Sequence, residues 1–167
     1  ISLGFQTAAG SYTAVATDAG SGCSTTTAAQ SISIIPLPTA YNVLGGGGYC
    51  SGGTGVHVRL SGSNTGVDYQ LYNGISPVGS TVAGTGTSLD FGLQTGAGTY
   101  TVVATNTTTK CVNTMASSAL VIINPKPTVY PVSSTSSTYC SGGTGVHIWL
   151  NTSDAGIRYQ LFNGSVP

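Results

Sequence analysis

The stretch YCSGGTGVHVRLSGSNTGVDYQLYNG, Tyr49–Gly74, returns as YCSGGTGVHIWLNTSDAGIRYQLFNG, Tyr139–Gly164, with 17 of 26 positions identical at an offset of 90. A fixed period decides architecture before any single side chain is interpreted. Working outward, Ile1–Ile35, which contains GFQTAAGSYTAVAT, matches Leu89–Ile123, which contains GLQTGAGTYTVVAT, at 15 of 35 positions and an offset of 88. The period is therefore close to 89 residues. The 167-residue chain is expected to hold the C-terminal half of one repeat (1–37), a complete repeat (38–126) and the N-terminal half of a further repeat (127–167), a window on a longer chain. Pro36-Leu37-Pro38 and Pro125-Lys126-Pro127 fall at the same repeat position. Proline cannot donate to a ladder and stiffens a junction, so each marks a domain boundary with a restricted hinge.

Inside the repeated stretch, apolar residues alternate with polar ones, the period of a half-buried strand. Val56, Val58 and Leu60 point inward, His57 and Arg59 outward. Between copies the outward Arg59 becomes Trp149, whereas the inward Val58 becomes Ile148. Val67, Tyr69 and Leu71 form the inner face of the next strand, with Asp68 outside, and Asn73-Gly74 closes it in a turn. Leu89–Leu93, Gly98–Thr105 and Ala119–Ile123 supply further strands, and a Gly/Ser/Thr stretch covers Gly79–Ser88. Six or seven short strands per period, with no glutamate and few good helix formers, predict an all-β chain. The expected fold is a tandem array of immunoglobulin-like or fibronectin-like antiparallel β-sandwiches, with Gly98-Thr99-Tyr100 in the place of a tyrosine corner.

Composition excludes several functions. Four Lys/Arg and four Asp leave a net charge of 0 and 5% charged residues, against about 25% in an ordinary domain. Arg59, Lys110, Lys126 and Arg158 are too scattered for a phosphate-tracking nucleic-acid site or a polybasic membrane contact. The longest apolar run, Ala119–Ile123, is far short of a membrane span, and Ile1–Thr7 carries no signal-peptide pattern. Glycine, serine and threonine abound, yet 40% of residues are hydrophobic, enough to bury cores. Solubility resting on hydroxyls suits a stiff secreted β-protein.

The four cysteines fall at two repeat positions: Cys50 and Cys140 early, Cys23 and Cys111 late. In a secreted sandwich the default is a disulfide, Cys50 to Cys111, closing a loop of about 60 residues and contributing roughly 4 kcal/mol in the chain-entropy model. Cys23 and Cys140 would then pair outside the fragment. An up-and-down strand count puts Cys50 and Cys111 at opposite poles, so their bond needs the chain to fold back at Gly45–Gly48; a bond joining one repeat's early cysteine to the next repeat's late one, and free thiols, stay open as alternatives.

Few groups could do chemistry: Asp18, Asp68, Asp90, Asp154, His57 and His147. His57 and His147 are copies on an outer strand face and read as solvated histidines. No metal and no cofactor is expected, because Cys-x-x-Cys spacing is missing and the junctions carry no carboxylate. Gly45–Gly48 lacks the Lys-Ser or Lys-Thr of a phosphate loop and reads as a flexible or bulged edge, replaced by Ser133–Thr138 in the last copy. Trp149, Arg59 and Tyr72 are the candidate interaction surface, as a contact between domains or chains ahead of a sugar platform. Asn106, Asn151 and Asn163 head glycosylation sequons.

Cys50-Ser51-Gly52-Gly53, Tyr69-Gln70-Leu71-Tyr72-Asn73-Gly74 and Gly98-Thr99-Tyr100-Thr101-Val102-Val103-Ala104-Thr105, followed by the late Cys111, form a layout that resembles repeats of very large Bacteroidota surface proteins. Those include Ig-like adhesins of the gliding-motility type, exported by type IX secretion. The resemblance implies an extracellular, cell-surface stalk or filament shaft and transfers no binding residue. The expected partners are neighbouring repeats, further copies in a homotypic filament, and a surface or polysaccharide ligand. The expected role is structural and adhesive rather than enzymatic. The alternative is a spacer or carbohydrate-binding module of a secreted polysaccharide-degrading enzyme.

Overall fold

The computed structural model describes residues 1–166, and among them there is no helix. Pro167, the last residue of the expected third segment, lies outside the described residues.

The first segment carries four three-residue strands: β1 (Gly10–Tyr12), β2 (Val15–Thr17), β3 (Ser24–Thr26) and β4 (Gln30–Ile32). β1 pairs antiparallel with β4 and β2 with β3, one hairpin interrupted at Ala14. At that break, Thr27 donates its N–H to the Ala14 carbonyl and its hydroxyl accepts the Ala14 N–H.

Nine strands follow before the second Pro-x-Pro: β5 (Val43–Gly45), β6 (Gly47–Cys50), β7 (Val56–Leu60), β8 (Val67–Asn73), β9 (Ser76–Ala83), β10 (Leu89–Gln94), β11 (Gly98–Asn106), β12 (Val112–Thr114) and β13 (Ala119–Asn124). They form two sheets. One has the order β10-β7-β5, the other β6-β13-β11-β8-β9 with β12 also on β11. All pairings are antiparallel except β6 with β13, which is parallel.

The arrangement is β-sandwich-like, because the inner faces of both sheets meet in a single core. Val43, Val58, Leu60 and Leu89 come from the smaller sheet; Val67, Tyr69, Leu71, Tyr100, Val102 and Val121 come from the larger. The alternation seen in the sequence is borne out: Val58, Leu60, Tyr69 and Leu71 are at most 1% exposed, while His57 and Arg59 face solvent. Each fully buried aliphatic side chain contributes about 1.5–3 kcal/mol of apolar transfer.

Gly45–Gly48 is the crossing from one sheet to the other. β5 belongs to the small sheet and β6 to the large one, and Gly45, Gly46 and Gly47 have φ of 93°, 75° and 117°. A Cβ on Gly45 would lie 2.2 Å from the His57 carbonyl oxygen, and one on Gly46 would lie 2.5 Å from that of Leu120. Two successive glycines thus abut the two sheets in turn, so the run is a close-packed crossing between the edge strands β5 and β6: of the flexible or bulged edge expected from its exchange with Ser133–Thr138, the edge position holds, and the close contacts replace the flexible option. A further strand, β9, runs into the Gly/Ser/Thr stretch from Ser76 to Ala83, an eight-residue edge paired with β8 across the Gly74-Ile75 turn.

The last segment holds β14 (Val132–Ser134) and β15 (Ile148–Leu150), paired antiparallel as β5 is with β7. Other local features recur at equivalent positions. Tyr100 donates its hydroxyl to the Gly96 carbonyl, and Tyr12 to that of Ala8, both at 2.9 Å. The Tyr69 hydroxyl accepts the Asn64 N–H at 2.8 Å, and that of Tyr159 accepts the Asp154 N–H at 2.9 Å.

Candidate functional site

β10 and β7 place Asp90 opposite Arg59, and a bulge between Asp90 and Leu93 carries the carboxylate over His57 as well. Asp90 Oδ1 lies 2.9 Å from His57 Nδ1, and Arg59 Nε donates to Oδ2 at 2.9 Å. The N–H of Gly92, in the bulge, donates to Oδ1 at 2.8 Å. The His57 hydrogen bond, assisted by Arg59 and the Gly92 N–H and partly opposed by desolvation, lowers the Asp90 carboxyl from 3.8 to about 2. His57 is the solvated surface histidine that the sequence read, 43% exposed, and is also engaged across the strands. The triad lies on the outer face of the small sheet, with the Asp90 side chain 41% exposed. Equivalent positions elsewhere hold Ser2 in place of Asp90 and Trp149 in place of Arg59. It acts as a cross-strand clamp of one copy, a fixed anion already paired with Arg59 and hydrogen-bonded to His57 and the Gly92 N–H.

Trp149 lies on β15, its ring stacked on that of His147 with centroids 5.5 Å apart and planes inclined by 22°. Beside it is a groove of about 310 Å³ lined by Val132, Ile148, Trp149, Leu150, Tyr159, Gln160 and Leu161. At an offset of 90, Ile148, Leu150, Tyr159 and Leu161 correspond to Val58, Leu60, Tyr69 and Leu71, all core residues. The groove is thus an exposed face whose equivalent in the 38–126 unit is core. The first segment shows the same property: Ile1 and Ala16 are exposed, whereas their equivalents Leu89 and Ala104 are buried in the core.

The expected surface of Trp149, Arg59 and Tyr72 is not assembled. Arg59 is on β7 in the small sheet, and Tyr72 is on β8 in the large one, opposite Thr101. Leu71 is buried, so its neighbour Tyr72 faces outward from the other side of the sandwich. Arg59 and Tyr72 therefore cannot contact one flat partner together.

The expected Cys50–Cys111 disulfide is not formed either: all four cysteines are free, with Cys23, Cys50 and Cys140 exposed and Cys111 half-buried. Topology gives the reason. Cys50 ends β6 opposite Asn124, whereas the Cys111 carbonyl accepts the N–H of Asn106 at the far end of β11. β11 alone has nine residues, about 27 Å of strand, and a disulfide needs α-carbons within about 7 Å. Gly45–Gly48 moves the chain sideways between sheets and does not fold it back.

Sequence reasoning missed two polar anchors. Asp154 accepts the Thr128 N–H and the Tyr130 hydroxyl, and together these lower its carboxyl pKa, the Tyr130 bond most. The Asn113 side-chain amide donates to the Pro38 carbonyl at 2.8 Å, tying the N-terminal linker to β12. Asn106, read as a sequon, accepts the N–H groups of Thr108 and Thr109 in the turn after β11, as Asp18 does from Gly20 and Ser21. Among the described residues no cluster of His, Cys and Asp has the arrangement to hold a metal ion. Compared with known proteins, the chain matches no family model and no curated protein.

Proposed function

We propose that this chain is a length of a tandem immunoglobulin-like repeat that forms the shaft of a long secreted bacterial adhesin, a stalk or filament at the cell surface. The observation that carries this reading is the position of the two linkers on the 38–126 unit. The N-terminal linker is held at the pole of Asn113, where Asn42 also bridges to Ala116, and the chain leaves at Asn124 at the opposite pole. Units joined through opposite poles by Pro-x-Pro segments run end to end and lengthen with each addition. The tyrosine-corner bonds of Tyr100 and Tyr12 and the two-sheet core support the immunoglobulin-like assignment. The low charge and hydroxyl-rich outer faces suit close lateral packing of shafts.

Negative-stain electron microscopy of the native protein tests this directly. Strings one sandwich wide, with an axial rise of about 40 Å per repeat from roughly 12–13 extended residues, or bundles of such strings, are expected. Isolated globules in which successive units fold side by side would overturn the reading. Binding to a panel of insoluble polysaccharides through Trp149 would instead favour the carbohydrate-binding alternative.

A further inference from the structure

Each repeat has two cysteines, and the structure sets them at opposite poles, each beside the linker that leaves that pole. At the C-terminal pole, the N–H of Ser51, next to Cys50, donates to the Asn124 carbonyl at 2.8 Å, and Gly52 lies against the Lys126 ammonium. At the N-terminal pole, Cys111 is two residues from Asn113, whose amide holds the Pro38 carbonyl. Pro127 is the repeat equivalent of Pro38. When one repeat follows another, the early cysteine of the first and the late cysteine of the second therefore meet at one junction. Only Pro125-Lys126-Pro127 intervenes, about 11 Å at full extension from Asn124 to Pro127.

We infer that the early cysteine of each repeat forms a disulfide with the late cysteine of the repeat that follows it, a covalent staple across every Pro-x-Pro junction. The inference rests on the tandem reading above. It gives both thiols of a repeat a use that pairing within the repeat cannot, because the sandwich itself holds them apart. It also accounts for four unpaired thiols here. The partner of Cys50 is the late cysteine of the repeat begun at Pro127, and the partner of Cys111 is the early cysteine of the repeat ending near Ile35. Neither position falls within residues 1–167. The chemistry is thiol–disulfide exchange. One cysteine thiolate attacks an oxidant disulfide such as glutathione disulfide and releases one glutathione thiolate. The second cysteine thiolate then displaces the other, so two protein S–H bonds become one S–S bond, and the two protons end on the two glutathione thiols to which the oxidant is reduced.

The test is a chain in which residues 38–126 are duplicated in place, so that two whole repeats stand in tandem between the original end segments. After oxidation with glutathione disulfide at high dilution, peptide mapping without reductant should show Cys50 of the first copy joined to Cys111 of the second. The linked peptide pair should weigh about 2 Da less than the sum of its two free-thiol peptides. Cys50→Ser in the first copy should abolish the bridge, and Cys111→Ser in the first copy should leave it. The 167-residue chain, treated alike, should form no bridge within itself. A Cys50–Cys111 link inside one copy, or uniformly free thiols in the duplicated chain, would overturn the inference. Small-angle scattering on the same sample separates the two readings: an elongated particle with free thiols defeats the staple alone, whereas two units folded side by side defeat the stalk.

Discussion

The hydroxyl of Tyr100 donates to the carbonyl of Gly96 at 2.9 Å, closing the turn before β11 from a side chain that is 2% exposed. Tyr100→Phe keeps the ring in the core and leaves that carbonyl without its partner. Such a loss costs about 1–2 kcal/mol, which for a unit of this size lowers Tm by roughly 5–15 °C. The Tyr12 bond to Ala8 has the same geometry on an exposed segment, so Tyr12→Phe should leave Tm within about 2 °C of the parent. Thermal unfolding followed by circular dichroism compares the two variants, and equal effects would contradict the account.

The sheet crossing predicts a gradient among neighbouring glycines. Gly45→Ala drives a methyl group into the His57 carbonyl and should destabilise by about 3 kcal/mol or more. Gly47 has φ of 117° but nothing within 4 Å of its Cβ direction. Gly47→Ala therefore meets backbone strain alone, about 1–2 kcal/mol. Urea denaturation midpoints should rank parent, Gly47→Ala, Gly45→Ala.

Asp90 gives the molecule an acid-side stability term. Its carboxyl is lowered from 3.8 to about 2, so the folded state binds its proton less readily than the unfolded one. The stabilisation is complete above pH 3.8 and is lost as the pH falls toward 2. Because the side chain is 41% exposed, solvent screening holds the contribution to about 1 kcal/mol or less. Asp90→Asn should flatten the urea midpoint between pH 4 and pH 2 relative to the parent, and a midpoint slope unchanged by the substitution would rule the clamp out.

The uncovered core faces predict self-association of the 167-residue chain. Ile148, Tyr159 and Leu161 are 43%, 41% and 60% exposed, whereas their equivalents in the whole unit are at most 1% exposed. Apolar surface of this kind seeks cover. Leu161→Ser with Ile148→Ser should shift sedimentation toward the monomer without changing the melting of the 38–126 unit.

The repeat and the inward faces of β7 and β8 were legible because burial imposes a two-residue period on Val56–Leu60 and Val67–Leu71. β9 was not, since an edge strand with one wet face needs only Val78 and Val82 among its hydroxyls and glycines. The Asp90 clamp was equally hidden: its members are 33 and 31 residues apart in sequence, and only the bulged register of β10 on β7 brings them together. The sequence did disclose that Cys50 and Cys111 would fall at opposite poles, a consequence of strand direction alone. It could not show the sideways crossing at Gly45–Gly46, because glycine marks either a loose edge or a forced close approach, and the difference lies in what the missing Cβ would have met.

The parallel pairing of β6 with β13 has a mechanical consequence. A load along the chain draws the N-terminal strands toward one pole and β13 toward the other, so the four residue pairs from Gly47–Val121 to Cys50–Asn124 are pulled along their length in shear. Rupture then requires their hydrogen bonds to yield together, whereas the β8–β9 hairpin, pulled at its open end, would unzip one rung at a time. Forced unfolding is governed by the unfolding rate, and concerted failure raises that barrier. The one parallel pairing of strands among the described residues is thus the sandwich's tensile clamp, placed on the line of force between the linkers.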